Sequence, residues 1–269
     1  MISVEVLSVG RELLIGKTVN TNAHWIGGRL ARKGSMISRM TTVTDSLKEI
    51  SSALNEILAR RPDFVVILGG LGPTPDDMTL EGVALTLGRK LALNAEAIEM
   101  IREHYRAVWK GEVQITPSRR KMARLPEGAT PLPNSVGTAP GVRLKKNRTV
   151  IFCLPGVPKE MKEIFRSSIG PEMQKKIGTL YTATVILNLE KIFESTLAPI
   201  LKKMMRMYPG AYLKSHPKGI REGVSRIELD IVVSSEARKQ ARSLADEIAS
   251  YAERGIKDEG GLVASRKEK

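Results

Sequence analysis

The sequence predicts an α/β protein: a mostly parallel sheet covered on both faces, followed by a smaller α+β unit. Three observations carry this reading. Short apolar runs at residues 3–9, 64–70 and 149–154 have the length and composition of buried strands. Segments of helical periodicity separate them, as βαβ crossovers require. Near residue 170 the pattern changes to alternating strands and long amphipathic helices.

Taken in order, residues 3–9 read as a buried strand and 23–33 as a helix stopped by Gly34. A second strand fits 35–43. Ile50, Leu54, Ile57 and Leu58 lie at helical spacing between Ser46, a candidate N-cap, and Pro62, a candidate stop. FVVILGG at 64–70 is an apolar run ending in glycines, before a predicted helix. The Pro/Gly-rich stretch 125–142 reads as loop with short strands, and 149–154 as a buried strand entering a turn and a helix. Domains of 1–169 and 170–265 follow. In the second, residues 179–189 and 224–233 read as strands, with Ile227, Leu229 and Ile231 on one face. Residues 190–207 have helical spacing, with Pro199 expected to start or kink the helix. A helix over 234–254 carries a stripe of Ala241, Leu244, Ile248 and Tyr251. Met204, Met205 and Met207 are read as core filling, and the last residues, ASRKEK, as frayed.

Composition excludes several classes. Hydrophobic residues at 42% and charged residues at 27% are ordinary for a globular protein, and aromatics at 4% leave an aliphatic core. No apolar run reaches the roughly 20 residues of a membrane span, and no export signal opens the chain, so a cytoplasmic protein without a membrane partner is expected. One cysteine, Cys153, excludes an internal disulfide and a cysteine zinc cage. His24, His104 and His216 share no motif. The net charge is 43 − 29 = +14, spread as +9 over residues 1–169 (25 basic, 16 acidic) and +5 over the remainder (18 and 13). Such an excess suits a solvated basic surface or an attraction for phosphorylated or nucleic-acid ligands.

The strongest local signal is Gly69-Gly70-Leu71-Gly72-Pro73-Thr74-Pro75-Asp76-Asp77-Met78-Thr79. It falls at the C-terminal end of a buried strand, where open α/β sheets bind ligands. Its glycines let backbone N–H groups approach a phosphate, with Thr74 completing the loop. Asp76 and Asp77 stand beside that cradle and imply a divalent cation, Mg²⁺ or Mn²⁺, between carboxylate and phosphate. The plainer alternative is a tight turn with Asp77 as a helix N-cap.

Gly10–Thr18 imitates a P-loop but has five residues between its glycines, where the motif needs four, and three of them are bulky. It is rejected as a nucleotide loop. Glu12, Asn20, Thr21 and Asn22 remain as polar groups after the first strand, with turn formation or capping as the alternative. Asp45 follows the second strand and is a candidate metal ligand or water-orienting group, or a cap. Ser135, Gly137 and Thr138 lie in a second small-residue loop, and Pro155 and Gly156 in a third strand-to-helix turn. Three such turns converging on one sheet edge point to a pocket.

Five motifs, GRELLIGKTVNTNA, VTDSLKEI, GGLGPTPDDMT, LPNSVGTAPG and LPGVPKEM, occur in the order seen in the CinA N-terminal domain, and residues 1–169 resemble that family within the molybdopterin-binding (MoaB/Mog-like) superfamily. Residues 170–265 resemble, with weaker motifs, the KH-type domain that follows it. The nicotinamide-nucleotide deamidase domain of full-length CinA would come next, and no deamidase activity is expected here. The resemblance implies a three-layer α/β/α domain with a smaller α+β domain, and metal-dependent hydrolysis of the pyrophosphate in ADP-ribose, or of FAD. It matches Asp45 and Asp77 to acidic catalytic positions and Gly69–Thr74 to the phosphate loop. Asp45, Asp76 and Asp77 would hold the divalent metal (Mg, Mn or Co), and a homo-oligomer is expected. Arg11 departs from the family's Asp or Asn, which bears on metal binding or a phosphate contact. One alternative is pterin-phosphate binding or adenylylation in molybdenum-cofactor biosynthesis. Another is a non-enzymatic nucleic-acid module, which the sequence argues against: Lys218–Gly223 has one residue too many between its glycines for the GXXG clamp.

Overall fold

The computed structural model describes residues 2–109, 114–178 and 180–268. The chain forms two compact units. The first comprises residues 1–31 and 35–177, and the second residues 32–34 and 178–269.

The first unit is a mixed α/β domain. Its sheet is ordered β2 (Met36–Val43), β1 (Ser3–Val9), β3 (Phe64–Leu68), β8 (Thr149–Leu154), β7 (Gly141–Lys146), β6 (Thr130–Leu132). The first four are parallel, and β7 and β6 complete the edge antiparallel. Period-two alternation divides the strands between two cores. Leu7, Val65, Ile67, Ile151 and Cys153 face one side, packed with Ile50, Leu54 and Ile57 of α3 (Leu47–Ala59) and Val83 of α4 (Thr79–Leu87). Val4, Val6, Phe64, Val66 and Phe152 face the other, with Ile26 and Leu30 of α2 (Thr21–Ala31) and Met161 of α7 (Pro158–Ile164). A short helix α1 (Arg11–Leu14) follows β1.

Between α4 and β6 the chain adds β4 (Leu91–Leu93), α5 (Ala95–Trp109), α6 (Pro117–Met122) and β5 (Arg124–Pro126), with β4 and β5 paired antiparallel. Register sets the functional edge. Ser8 pairs with Leu68 and Leu68 with Leu154, so the loops after β1, β3 and β8 leave the sheet side by side.

The expected boundary at 169/170 falls inside this unit. The chain passes from α7 through a π-helical turn, Phe165–Ile169, into α8 (Gly170–Ile177). Pro171 lies just after that π-helical turn, inside one unbroken helical stretch, so it does not end the helix there. Ile169 and Met173 are buried in the core, and Arg143 of β7 makes a bidentate pair with Glu172.

The second unit is an antiparallel sheet ordered β10 (Tyr212–Arg221), β11 (Val224–Ser235), β9 (Tyr181–Glu190), β12 (Leu262–Glu268). Helices α9 (Glu194–Met207) and α10 (Arg238–Asp258) supply its core. The strand expected over 179–189 begins at Tyr181, and Thr179 lies outside the described residues.

Three expectations need correction, and a fourth is narrowed. Residues 265–268 are not frayed: they pair with β9, and Arg266 reaches Asp246 while Ser265 accepts from Asn188 at 2.8 Å. Leu244 is exposed, because the buried stripe of α10 runs through Ala241, Ala245, Ile248, Ala249 and Ala252. Only Met204 of the methionine cluster is core; Met205 and Met207 are about half exposed. Pro199 lies inside α9, which excludes the first of its two expected roles, the helix start. Among the described residues no helix is long and apolar enough to cross a membrane.

Candidate functional site

A cavity of about 570 Å³ opens at the C-terminal edge of β1, β3 and β8. Gly69 is where β3 leaves the sheet. Its φ is +99°, and a Cβ there would meet the Val9 carbonyl oxygen at 2.4 Å, so only glycine fits. The Gly69 N–H donates to Leu154 and the Gly70 carbonyl accepts from Thr79, which pins both ends of the turn. Among the described residues the N–H groups of Gly70, Leu71 and Gly72 have no acceptor, which leaves three consecutive donors at the cavity wall.

The acidic residues are fixed locally. Asp77 Oδ2 accepts from the Thr74 N–H at 2.9 Å and the Thr74 hydroxyl at 2.5 Å. It therefore closes the loop and does not cap α4, whose N-cap is Met78 without a side-chain bond. Asp76 is exposed; the Thr74 hydroxyl beside it, its own N–H and the Lys121 ammonium hold its carboxyl below the usual range. Asp45 Oδ2 accepts from the Arg11 N–H at 2.8 Å, so it too is no helix cap. The Glu12 carboxylate lies over Gly10, where a Cβ would meet it at 2.5 Å.

Helix α2 begins earlier than expected, and this changes the role of Asn22. Asn20 is the cap: its Oδ1 accepts from Ala23 N–H at 3.1 Å and its Nδ2 donates to Ser8. Asn22, the second residue of the helix, donates to the Gly156 carbonyl at 2.7 Å. Its buried Oδ1 has no partner. An acceptor of this kind at a cavity wall is open to a donor from a ligand or a water molecule.

Of the residues singled out in sequence, Glu12, Asn20, Asn22, Asp45, Asp76 and Asp77 line the cavity, as do Gly69–Gly72, Thr138, Pro155 and Gly156. Thr74, Ser135 and Gly137 do not. Thr74 acts through Asp77, Ser135 is exposed away from the cavity, and Gly137 lies against Glu160, which a Cβ would strike at 2.1 Å. Sequence reasoning missed Glu160, although it falls in the LPGVPKEM turn. It also missed Tyr105, on a helix the reading did not assign; the Arg119 guanidinium lies 3.7 Å from that ring's centre.

Among the described residues the cavity carries five carboxylates (Glu12, Asp45, Asp76, Asp77 and Glu160) and no lysine, arginine or histidine, in a chain of charge +14. Among the described residues no three His, Cys, Asp or Glu side chains converge on a metal position.

A family model described as "probable molybdopterin binding domain" matches residues 5–175. A protein of Pyrobaculum arsenaticum is 39% identical over 260 residues, spanning 97% of each chain. One of Metallosphaera sedula is 40% identical over 261 residues, again 97% of each. A crystal structure of the protein CinA from Thermoplasma acidophilum, described as of unknown function, is 41% identical with a TM-score of 0.57. That match covers 65% of this chain and 98% of that one.

Proposed function

The chain belongs to the family of the probable molybdopterin binding domain, and from that premise we propose that the main cavity hydrolyses the pyrophosphate bond of a nucleotide-sugar type compound, with ADP-ribose first and FAD second. The observation that carries this reading is the union, among the described residues, of three free backbone donors with five carboxylates and no side-chain cation. The amides attract phosphate oxygens, and the carboxylates repel them unless a cation stands between. Mg²⁺ and ions like it keep most of their water and take one or two carboxylates plus substrate phosphates. A cavity without a three-carboxylate cage fits an ion shared with the ligand.

One or two of Asp45, Asp76 and Asp77 would hold it, not all three together; bound there, such an ion would neutralise phosphate charge and make water more acidic. The chain's own part is positional. Gly70, Leu71 and Gly72 offer N–H groups to phosphate oxygens, Thr74 fixes the Asp77 carboxylate, and Asn22 Oδ1 accepts a ligand hydroxyl or amine proton. On this reading the protein is a cytoplasmic homo-oligomer.

A second reading, pterin-phosphate binding or adenylylation, draws support from the family match over residues 5–175. Nucleic acid finds none in the second unit: Lys218–Arg221 ends β10, and Glu222-Gly223 form a hairpin turn with φ of 53° and 77°. The KH-type reading of that unit rests on the sequence resemblance.

The test is phosphatase-coupled phosphate release from ADP-ribose, FAD, NAD and dinucleoside polyphosphates, with and without Mg²⁺, Mn²⁺ and Co²⁺, beside a molybdopterin-binding assay. Cation-dependent release from ADP-ribose or FAD supports hydrolysis. Molybdopterin binding without any release supports the second reading.

A further inference from the structure

Behind the glycine loop lies a second cavity of about 270 Å³. It shares a wall with the main one: Gly70, Leu71, Gly72, Asp77 and Met122 line both. Its charge is opposite in kind. Arg120 and Lys121 of α6 and Arg124 of β5 enter it, against Asp77 and Glu81. Among the described residues neither Arg120 nor Arg124 is paired with a carboxylate. Lys121 Nζ donates to the Thr74 carbonyl, which holds the basic segment against the phosphate loop. Three like charges gathered around one hollow repel each other, and a phosphate dianion placed there would relieve them. The unclaimed N–H groups of Gly70–Gly72 stand in the wall between the two cavities. Arginine in particular offers planar, paired donors that match phosphate oxygens.

We infer that this basic cavity is a second anion subsite, taking a phosphate group at the back of the glycine loop while the main cavity holds the rest of the ligand. It rests on the reading of the main cavity as a phosphate site. It differs in one testable respect: with its own cations, the rear cavity needs no divalent ion. The phosphate is either a monoester on the ligand itself or free phosphate.

The test measures calorimetric binding of inorganic pyrophosphate, inorganic phosphate, ADP-ribose and ADP-ribose 2′-phosphate to the full chain in EDTA and in Mg²⁺. The variants are R120Q/R124Q, the charge-keeping R120K/R124K, and Lys146→Gln as an exposed cation outside the cavity. Pyrophosphate is expected to bind in EDTA and to weaken at least tenfold in R120Q/R124Q, with R120K/R124K retaining part of the affinity and Lys146→Gln unchanged. A matching loss for the 2′-phosphate compound, with ADP-ribose unaffected, assigns the group to the ligand. A matching loss for inorganic phosphate alone assigns free phosphate. Equal weakening by Lys146→Gln, or unchanged affinity in R120Q/R124Q with its circular dichroism intact, overturns the subsite. Because the EDTA measurement needs no turnover, failure of the hydrolysis reading leaves it standing or falling separately.

Discussion

The carboxylate of Asp45 is held by the main-chain N–H of Arg11, at 2.8 Å, and not by the Arg11 side chain. The guanidinium is exposed and does not line the main cavity. A backbone donor is indifferent to the side chain attached to it. The unusual residue at position 11 therefore leaves the carboxylate set as it is. Replacing Arg11 by Ala should change turnover of the best substrate by less than about twofold, whereas Asp45→Ala should lower it on the order of tenfold, about 1.4 kcal/mol. Steady-state kinetics on both variants checks this. A tenfold loss in the Arg11 variant would place that side chain in the site after all.

Asp77 has two duties that substitution can separate. It ties down Thr74 by two hydrogen bonds, and it brings charge to the cavity. Asp77→Ala removes both and should lower kcat about 100-fold, roughly 3 kcal/mol of barrier. Asp77→Asn keeps an acceptor for Thr74 but removes the charge. It should lose nearly as much activity while keeping the wild-type melting temperature. Full turnover in a folded Asp77→Asn protein would remove its charge from the mechanism.

The sheet and its edge were legible because buried parallel strands leave unambiguous apolar runs, such as Phe64–Leu68 and Thr149–Leu154. The glycine loop was legible because a residue like Gly69, pressed against the Val9 carbonyl, admits no side chain. What was lost depended on partners distant in sequence. Strand β12 is polar and charged, and only its ladder to β9 and the Arg266 ion pairs order it. Helix α10 shows Leu244 and Ala245 side by side, and only packing decides that the alanine is buried. Asn20 and Asn22 have equal capping propensity. The bond from Asn20 to Ala23 decides between them and frees Asn22 for the cavity. The rear basic cavity joins α6 and β5 to a loop far upstream, and no local pattern announces it.

Cys153 sits fully buried in the middle of the parallel sheet, and burial pushes its thiol up to about 12. The thiolate is the reactive form. Folded protein at pH 8 should therefore show no reaction with Ellman's reagent over hours, and one thiol per chain after unfolding in guanidinium. Rapid labelling under native conditions would mean that β8 opens locally.

Asp63 couples three parts of the first unit. Its Oδ2 accepts from the Ser3 N–H at 2.9 Å, where β1 begins, and its Oδ1 lies 2.8 Å from Lys176 Nζ on α8. Partial burial pushes the carboxyl up, but the hydrogen bonds from Lys176 and Ser3 outweigh this, and the net displacement is below the usual aspartate value. A folded-state pKa below the unfolded one contributes stability above the unfolded value, near 4, and loses it as pH falls through the folded value. Lys176 is about two-fifths exposed, so solvent screening keeps the contribution small. Asp63→Asn should cost about 1 kcal/mol at pH 7 and progressively less below about pH 4. Urea midpoints of wild type and variant at pH 7 and pH 3 check the sign. A difference between the two proteins that persists at pH 3 would show that the asparagine acts by misplacing the Ser3 bond and not by removing charge.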